Sequence, residues 1–248
     1  SQRMILNKKG EHFLPAVKRL LSQYDISVKE LDQLAQQMEG HFNITSTISI
    51  VALWLFDDIA EFMKFYPQIS FSFKAVDETP DLTLGESDID IRPFSQKEEG
   101  IEYKYLTTHD MGLYATREYI QTSGLPEKIL DFENHNILAF PTEHLLVRHT
   151  SLNWHLLHIN SWKKLTTVGS YLGILQAVEN GLGIGPISHA AAKISRVPLI
   201  PILPDILTHP MDIYYRYPTA LCENRVITEL YNYLRERPDG PLKGRIRM

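Results

Sequence analysis

Residues 42–75 read FNITSTISIVALWLFDDIAEFMKFYPQISFSFKA. A short strand predicted over 42–45 is followed by hydroxyl residues suited to capping a helix. An apolar stripe with helical spacing then runs to Pro67, which stops the helix. Residues 69–75 alternate between apolar and polar side chains, which predicts a second strand. This order of strand, helix and strand predicts an α/β unit with a mainly parallel sheet.

The rest of the chain repeats these signals. Further helices are predicted at 118–122, 171–178 and 226–234. Further strands are predicted at 89–94, 103–105, 111–114, 137–140, 165–168, 184–187, 199–203 and 213–217. A charged loop at 96–100 divides the pattern, so the sequence predicts a second α/β unit behind the first.

A long apolar stripe precedes both units. Its heptad-like positions, which we expect to pair two helices, are Val17, Leu21, Tyr24, Val28, Leu31 and Met38. Gly40 is expected to close this helix. An ordinary amphipathic helix packed on its own domain is the alternative. We favour a helix-pairing seam because the helix is long and its other face is polar.

Composition narrows the class of protein. The 248 residues are 44% hydrophobic and 22% charged, which are ordinary globular values. A net charge of −5 excludes a uniformly basic, histone-like binder but leaves a local basic patch open. The single cysteine, Cys222, excludes an internal disulfide and a four-cysteine zinc site. No apolar run approaches the ~20 residues of a membrane span, and the first residues lack the apolar core of a signal peptide, so we expect a cytoplasmic protein.

Three enzyme-like patterns are weak. The glycines of 181–185 follow a predicted helix and enter a strand, whereas a dinucleotide fingerprint needs a strand, a glycine turn and then a helix. The segment 169–173 departs from the GxSxG serine elbow. Four histidines lie close together in the sequence near Glu143, namely His144, His149, His155 and His158. A zinc site would need a third ligand in a converging geometry, and the spacing identifies none. We therefore expect no catalytic residue, no metal and no cofactor.

Two hydroxyl-rich helix starts are more informative. Thr47 and Ser49 follow one predicted strand, and Ser170 follows another. In open α/β sheets, helix starts beside the carboxyl ends of strands line the ligand crevice, and their free N–H groups favour an anion. Each hydroxyl taken alone is equally typical of a plain helix cap.

Several segments together resemble one family, the LysR-type transcriptional regulators. They are LNKKGE at 6–11, DLTLG at 81–85, DIDIR at 88–92, TREYIQTSGLP at 116–126, LQAVENGLGIGP at 175–186, LPD at 203–205 and YYRYP at 214–218. Asp90 departs from the resemblance, because a small apolar residue is usual there.

The resemblance implies two Rossmann-like subdomains of the periplasmic-binding-protein type, with a cleft between them and a linker helix in front. It places a wing remnant and the linker helix at 1–40, subdomain I at 41–100 plus 209–248, and subdomain II at 101–208. The chain would cross between subdomains near 92–101 and 208–217. A small, anionic effector would occupy the cleft, and the residues implied to bind it are Thr47, Ser49, Arg92, Phe94, Phe140, Ser170 and Tyr171.

The resemblance also implies promoter DNA as a partner, through a winged helix-turn-helix of which only the last residues are present. Lys8 and Lys9 are expected to contact DNA phosphate. The linker helices would join the chain into a homodimer or homotetramer. A stand-alone solute-binding protein of the same fold is the second hypothesis, and an enzyme with a Ser/His or metal centre is the third.

Overall fold

A computed structural model describes residues 6–34, 38–93, 97–141 and 152–236. Its helices are α1 Lys8–Leu34, α2 Ile48–Ile50, α3 Phe56–Phe65, α4 Arg117–Ser123, α5 Tyr171–Glu179, α6 His189–Lys193 and α7 Arg225–Glu236. Its strands are β1 Gly40–Ser46, β2 Ile69–Ala75, β3 Ile89–Pro93, β4 Ile101–Thr116, β5 Asn136–Ala139, β6 Lys164–Thr167, β7 Gly185–Ser188, β8 Leu199–Ile202 and β9 Thr208–Pro218. Within the described ranges, none of the helices combines the length and apolar character that crossing a bilayer requires.

Most strands join one mixed sheet in the order β2-β1-β3-β9-β4-β7. Strands β2, β1 and β3 are parallel, as the strand–helix–strand pattern predicted. Strand β9 runs antiparallel to β3 and to β4, and β4 also pairs with β7 and β8. Strands β5 and β6 form a small parallel sheet that touches the β7 segment through the Ile137–Ile184 bridge. The predicted α/β class is therefore confirmed.

Strand β4 is longer than the sequence suggested. The two short strands expected at 103–105 and 111–114 are parts of one strand of 16 residues. It pairs with β9 from Ile101↔Pro218 to Gly112↔Thr208, with a register shift between Tyr105 and Thr107. The residues before the shift pair with the part of β9 that adjoins β3, and the last residues pair with β7 and β8. Strand β4 therefore spans both parts of the sheet.

One side of helix α1 packs on its own chain. Ser22 is buried, and Ile26 packs against the hydrophobic core. Gly85, at φ +68°, lies so close that an added Cβ would sit 2.5 Å from the Ser22 Oγ. Lys18 and Glu86 form an ion pair at 3.6 Å beside this contact. The helix is therefore anchored to the turn before β3.

The other side of α1 is apolar and exposed. Leu21 is 61% exposed, Tyr24 67% and Val28 40%, and Val17 is half-buried. Met38 lies beyond the helix, partly buried against the core, so it does not continue this side. The side chain of Leu31 is outside the described part of the structure. The alternative, a helix packed on its own domain, thus describes one face of α1, and the helix-pairing seam stays a prediction for the exposed face.

Candidate functional site

The first predicted helix start is capped by its own hydroxyls. Thr47 is the N-cap of α2, and its Oγ1 accepts a hydrogen bond from the Ile50 N–H at 3.3 Å. The Ser49 Oγ lies 3.2 Å from the Thr47 Oγ1. The Ile48 N–H donates to the Asp77 carboxylate at 3.4 Å. A carboxylate of the chain itself therefore already contacts this helix start, as the helix dipole favours.

The second helix start has the same design. The Ser170 Oγ caps α5 by accepting from the Gly173 N–H at 3.1 Å. Tyr171 points inward instead, since its hydroxyl accepts from the Ser188 N–H at 2.7 Å and donates to the Ser188 Oγ at 3.1 Å. Burial raises the pKa of this hydroxyl. Helices α2 and α5 contact each other, so the two helices that begin at the predicted hydroxyl residues are neighbours.

The aromatic residues predicted for the site are placed differently. Phe140 is 6% exposed and packs in a second hydrophobic cluster with Leu138 and Ile174. Its backbone is held on both sides by Asn153, which accepts from the Phe140 N–H at 2.9 Å and donates to the Phe140 carbonyl at 3.1 Å. Phe94 lies outside the described residues.

Arg92 is held in a buried ion-pair cluster. Its Nε lies 2.7 Å from Asp90, and the same carboxylate binds Arg216 at 2.6 Å. All three side chains belong to residues at most 3% exposed. Burial lowers the pKa of Arg92, and the Asp90 carboxylate opposes that shift. The unusual Asp90 is thereby explained, because its one carboxylate forms ion pairs with two arginines that lie on neighbouring strands β3 and β9.

The Arg92 side chain also reaches the first helix start. Its Nη1 donates to the Asp77 carbonyl at 3.1 Å. Asp77 in turn accepts from the Ile48 N–H. Arg92 is therefore placed beside the predicted site, with its guanidinium engaged by protein groups.

A group of polar side chains that the sequence did not suggest lies on one face of the two long strands. We call it the crossing-strand cluster, and its members are Trp54, Thr107, His109 and Trp154. The His109 ring lies 6.5 Å from the Trp54 ring, and the Trp154 ring stacks on His209 at 5.7 Å. In the strand register, Thr107 pairs with Ile213 and His109 pairs with Met211, so these side chains lie on the same face of the sheet.

The crossing-strand cluster holds buried polar atoms without hydrogen-bond partners in the described part of the chain. These atoms are Trp54 Nε1, Thr107 Oγ1, His109 Nε2 and Trp154 Nε1. Burial lowers the pKa of His109 to about 4, against a small opposing effect of Asp110, so its imidazole is neutral at pH 7. Because buried polar atoms are normally paired, the cluster offers hydrogen bonds to a further group.

The two histidines considered for zinc that the structure describes lie in different environments. His155 is fully buried and its Nε2 lies 3.1 Å from the Leu138 carbonyl oxygen, whereas His158 is exposed. Residues 143, 144 and 149 lie outside the described ranges. Within those ranges, no three His, Cys, Asp or Glu side chains are arranged to hold a metal ion.

Comparison with known proteins identifies the family. The family model described as the LysR substrate binding domain matches residues 35–239. The chain belongs to the LysR family. The resemblance inferred from the sequence is thus confirmed, and this LysR chain carries the substrate-binding domain of LysR-type regulators.

Sequence relatives of this LysR chain are transcriptional regulators. An uncharacterized HTH-type transcriptional regulator of Haemophilus influenzae is 20% identical over 225 residues, which cover 88% of this chain and 76% of the relative. The HTH-type transcriptional activator TtdR of Escherichia coli K12 is 25% identical over 134 residues, which cover 54% of this chain and only 43% of the activator.

Solved LysR structures share the fold. The regulatory domain of CrgA from Neisseria meningitidis matches with a TM-score of 0.66 and 22% identity, over 80% of this chain and 98% of that domain. A full-length variant of AphB matches with a TM-score of 0.69 and 17% identity, over 96% of this chain and 82% of AphB. The periplasmic-binding-protein-like architecture predicted for the chain is therefore confirmed.

Proposed function

We propose that this LysR chain senses a small anionic metabolite, held between the two halves of its substrate-binding domain, and controls transcription through a DNA-binding module. The contact between helices α2 and α5 supports this proposal most directly. Each start carries a capping hydroxyl, Thr47 or Ser170. Subdomain I is 41–100 plus 209–248 and subdomain II is 101–208, with β4 and β9 running between them.

The anionic character of the effector follows from the chemistry of the helix starts. Free backbone N–H groups and the helix dipole attract negative charge, typically by 0.3–1 kcal/mol per exposed charge, so about this much is expected at each helix. The contact between Ile48 N–H and the Asp77 carboxylate is an example within the chain. The residues proposed to surround the effector are Thr47, Ser49, Arg92, Phe94, Phe140, Ser170 and Tyr171.

The exposed side of α1 supports an oligomer. Leu21, Tyr24 and Val28 present apolar surface to solvent, and the α1 helix of a second copy would cover it. Lys8 and Lys9 are exposed in the first turn of α1, where contact with DNA phosphate is sterically open. We place the regulator in the cytoplasm with promoter DNA, and assign it no catalytic role.

A thermal-shift screen of small carboxylates, followed by calorimetry on the hits, tests the proposal. A ligand at 100 times its Kd adds about 2.7 kcal/mol of stability, which such a screen detects. The double variant Thr47→Ala with Ser49→Ala is expected to weaken a hit at least tenfold, because the helix start loses its hydroxyl donors. Ser161→Ala, at an exposed position, is the matched control. Equal affinity in the double variant and the parent would place the effector elsewhere.

A further inference from the structure

The crossing-strand cluster holds four of the buried polar atoms that have no hydrogen-bond partner among the described residues. Thr107 is 2% exposed, Trp54 6% and Trp154 2%, and each carries a polar atom with no hydrogen-bond partner among the described residues. Such atoms are rare in native proteins, because a buried donor without a partner loses its hydrogen bonds to water and gains none. Trp54 lies beside His109, and Thr107 shares the same face of β4, so this face offers hydrogen bonds to a bound polar group.

The cluster is joined to the predicted site through one helical segment. Trp54 lies in the π-helical turn Val51–Leu55, which continues α2 without a break. Thr47 is the N-cap of this helical segment and Trp54 lies seven residues further along it. A small molecule that places a carboxylate at Thr47 can therefore extend toward His109, which neighbours Trp54.

Among the described residues, the four members of the cluster carry no charge at pH 7. Trp54 and Trp154 donate hydrogen bonds and accept none, while Thr107 can do both. Of the nearby titratable groups, His109 and His209 have pKa values lowered by burial. The carboxylates that follow on the same strands, those of Asp110 and Asp212, belong to the opposite face, where Asp212 accepts from Thr108 at 2.6 Å.

A second carboxylate of the ligand would find no cation in the cluster. Burying an ionised carboxylate without a partner charge is strongly unfavourable, whereas a hydroxyl or carbonyl oxygen needs only the hydrogen bonds that the cluster offers. The buried side chains of Met111 and Met211 supply apolar contacts for the carbon chain between the two polar ends.

We propose that the effector is a monocarboxylate carrying an uncharged oxygen, as hydroxyl or ketone, which accepts hydrogen bonds from Trp54 and Thr107 beside His109. This inference rests on the proposed function, because the carboxylate end uses the helix starts. It adds that side chains of the crossing-strand cluster determine which chemical group the effector carries at the end opposite its carboxylate. The chemical class is thus a hydroxy or oxo acid, as opposed to a simple fatty acid or a dicarboxylate.

Calorimetry with three matched sets of acids tests the class. The first set is lactate, γ-hydroxybutyrate and levulinate, the second is propionate, butyrate and valerate, and the third is malonate, succinate and glutarate. Each set covers three, four and five carbons. At one chain length, we expect the oxygen-bearing acid to bind at least tenfold more tightly than both partners. Preference for a dicarboxylate, or equal binding of all three, would overturn the inference.

Substitutions in the crossing-strand cluster test which side chains produce the preference for the oxygen-bearing acid. Thr107→Val keeps the shape of the side chain and Trp54→Phe keeps an aromatic ring. Each removes the polar hydrogen, so each is expected to bring the tenfold preference to within about threefold. Binding of the unsubstituted acid should stay within twofold. Thr167→Val and Trp162→Phe are the matched controls, at an exposed and a half-buried position. Full preference retained in both cluster variants would refute the role of the crossing strands.

The outcomes separate this inference from the proposed function. Binding of acids that depends on Thr47 and Ser49 but ignores the extra oxygen would leave the proposed function standing and overturn only the inference. No binding of any acid, with Thr47→Ala/Ser49→Ala indistinguishable from the parent, would overturn both. Because removing an unpaired buried polar atom does not destabilise a fold, Thr107→Val should melt no lower than the parent, which keeps the binding test valid.

Discussion

Replacing Asp90 by alanine is expected to destabilise the fold more than any surface change. Asp90 is 0% exposed and binds Arg92 and Arg216 at 2.7 and 2.6 Å. The substitution leaves two guanidinium groups buried without their shared carboxylate, while Glu98, 3.6 Å from Arg216, remains.

The magnitude follows from the burial of the arginines. Removing one partner of a buried ion pair typically raises the free energy of the folded state by about 3–5 kcal/mol. We expect a loss of stability within this range although two ion pairs are removed, because both arginines share one carboxylate and Glu98 remains near Arg216. For a chain of this size, 1 kcal/mol shifts Tm by roughly 2–4 °C, so Tm should fall by about 6–20 °C.

Circular dichroism during urea and thermal denaturation measures this loss. Lys64→Ala, which breaks the exposed pair with Glu61, is the control and should change stability by less than ~1 kcal/mol. The triple variant Asp90→Ala, Arg92→Met, Arg216→Met should regain most of the loss, because apolar side chains replace the unpaired charges. A single Asp90→Ala variant within about 1 kcal/mol of the parent would refute the reasoning.

Three further predictions concern other parts of the molecule. His155 is fully buried with a pKa of about 4, below the usual value of 6.5, so the unfolded chain binds a proton at this histidine before the folded chain does. Its contribution therefore lowers the free energy of unfolding by on the order of 3 kcal/mol as the pH falls from 6.5 to 4. His155→Gln should flatten this part of a stability–pH curve, and an unchanged slope would contradict the prediction. Gly183→Ala should destabilise by about 1–3 kcal/mol in urea titrations, because its Cβ would lie 2.5 Å from a β5 carbonyl oxygen, whereas Gly169→Ala, with open space, should be neutral. Leu21→Glu should reduce self-association in sedimentation while leaving the fold intact, since Leu21 is 61% exposed; Gln23→Glu adds the same charge beside it as a control, and an unchanged oligomer would argue against the α1 seam.

Local periodicity was enough to predict most of the helices and strands. The alternation of 69–75 and the helical stripe before Pro67 are properties of neighbouring residues, so they predict β2 and α3 without any long-range information. The single strand β4 was predicted as two, because its middle residues are held by pairing with β9 and carry no signal of their own. The short helix α6, capped by Ser188, was missed for a similar reason, since five residues make too little of a helical period.

The candidate site was predictable only where it depends on local capping. Thr47 and Ser170 are N-caps, and their residue types indicate this directly. The crossing-strand cluster depends on register instead, because Trp54 meets His109 only after β4 has paired with β9. A buried carboxylate at Asp90 could likewise not be explained from nearby sequence alone, because its partner Arg216 is 126 positions away.

A continuous chain of polar contacts links the first helix start to the long strands. The Ile48 N–H donates to Asp77, the Asp77 carbonyl accepts from Arg92, and Asp90 joins Arg92 to Arg216 on β9. A ligand changes the angle between two halves only as far as its affinity differs between their arrangements. The anionic effector proposed for the start of α2 would compete with the Asp77 carboxylate for the same N–H group, so its binding free energy would include the release of that contact. Because Arg92 holds the backbone of Asp77, the Asp90 cluster would determine how firmly the competing carboxylate stays in place. On this proposal, stability and ligand response depend on the same buried charge.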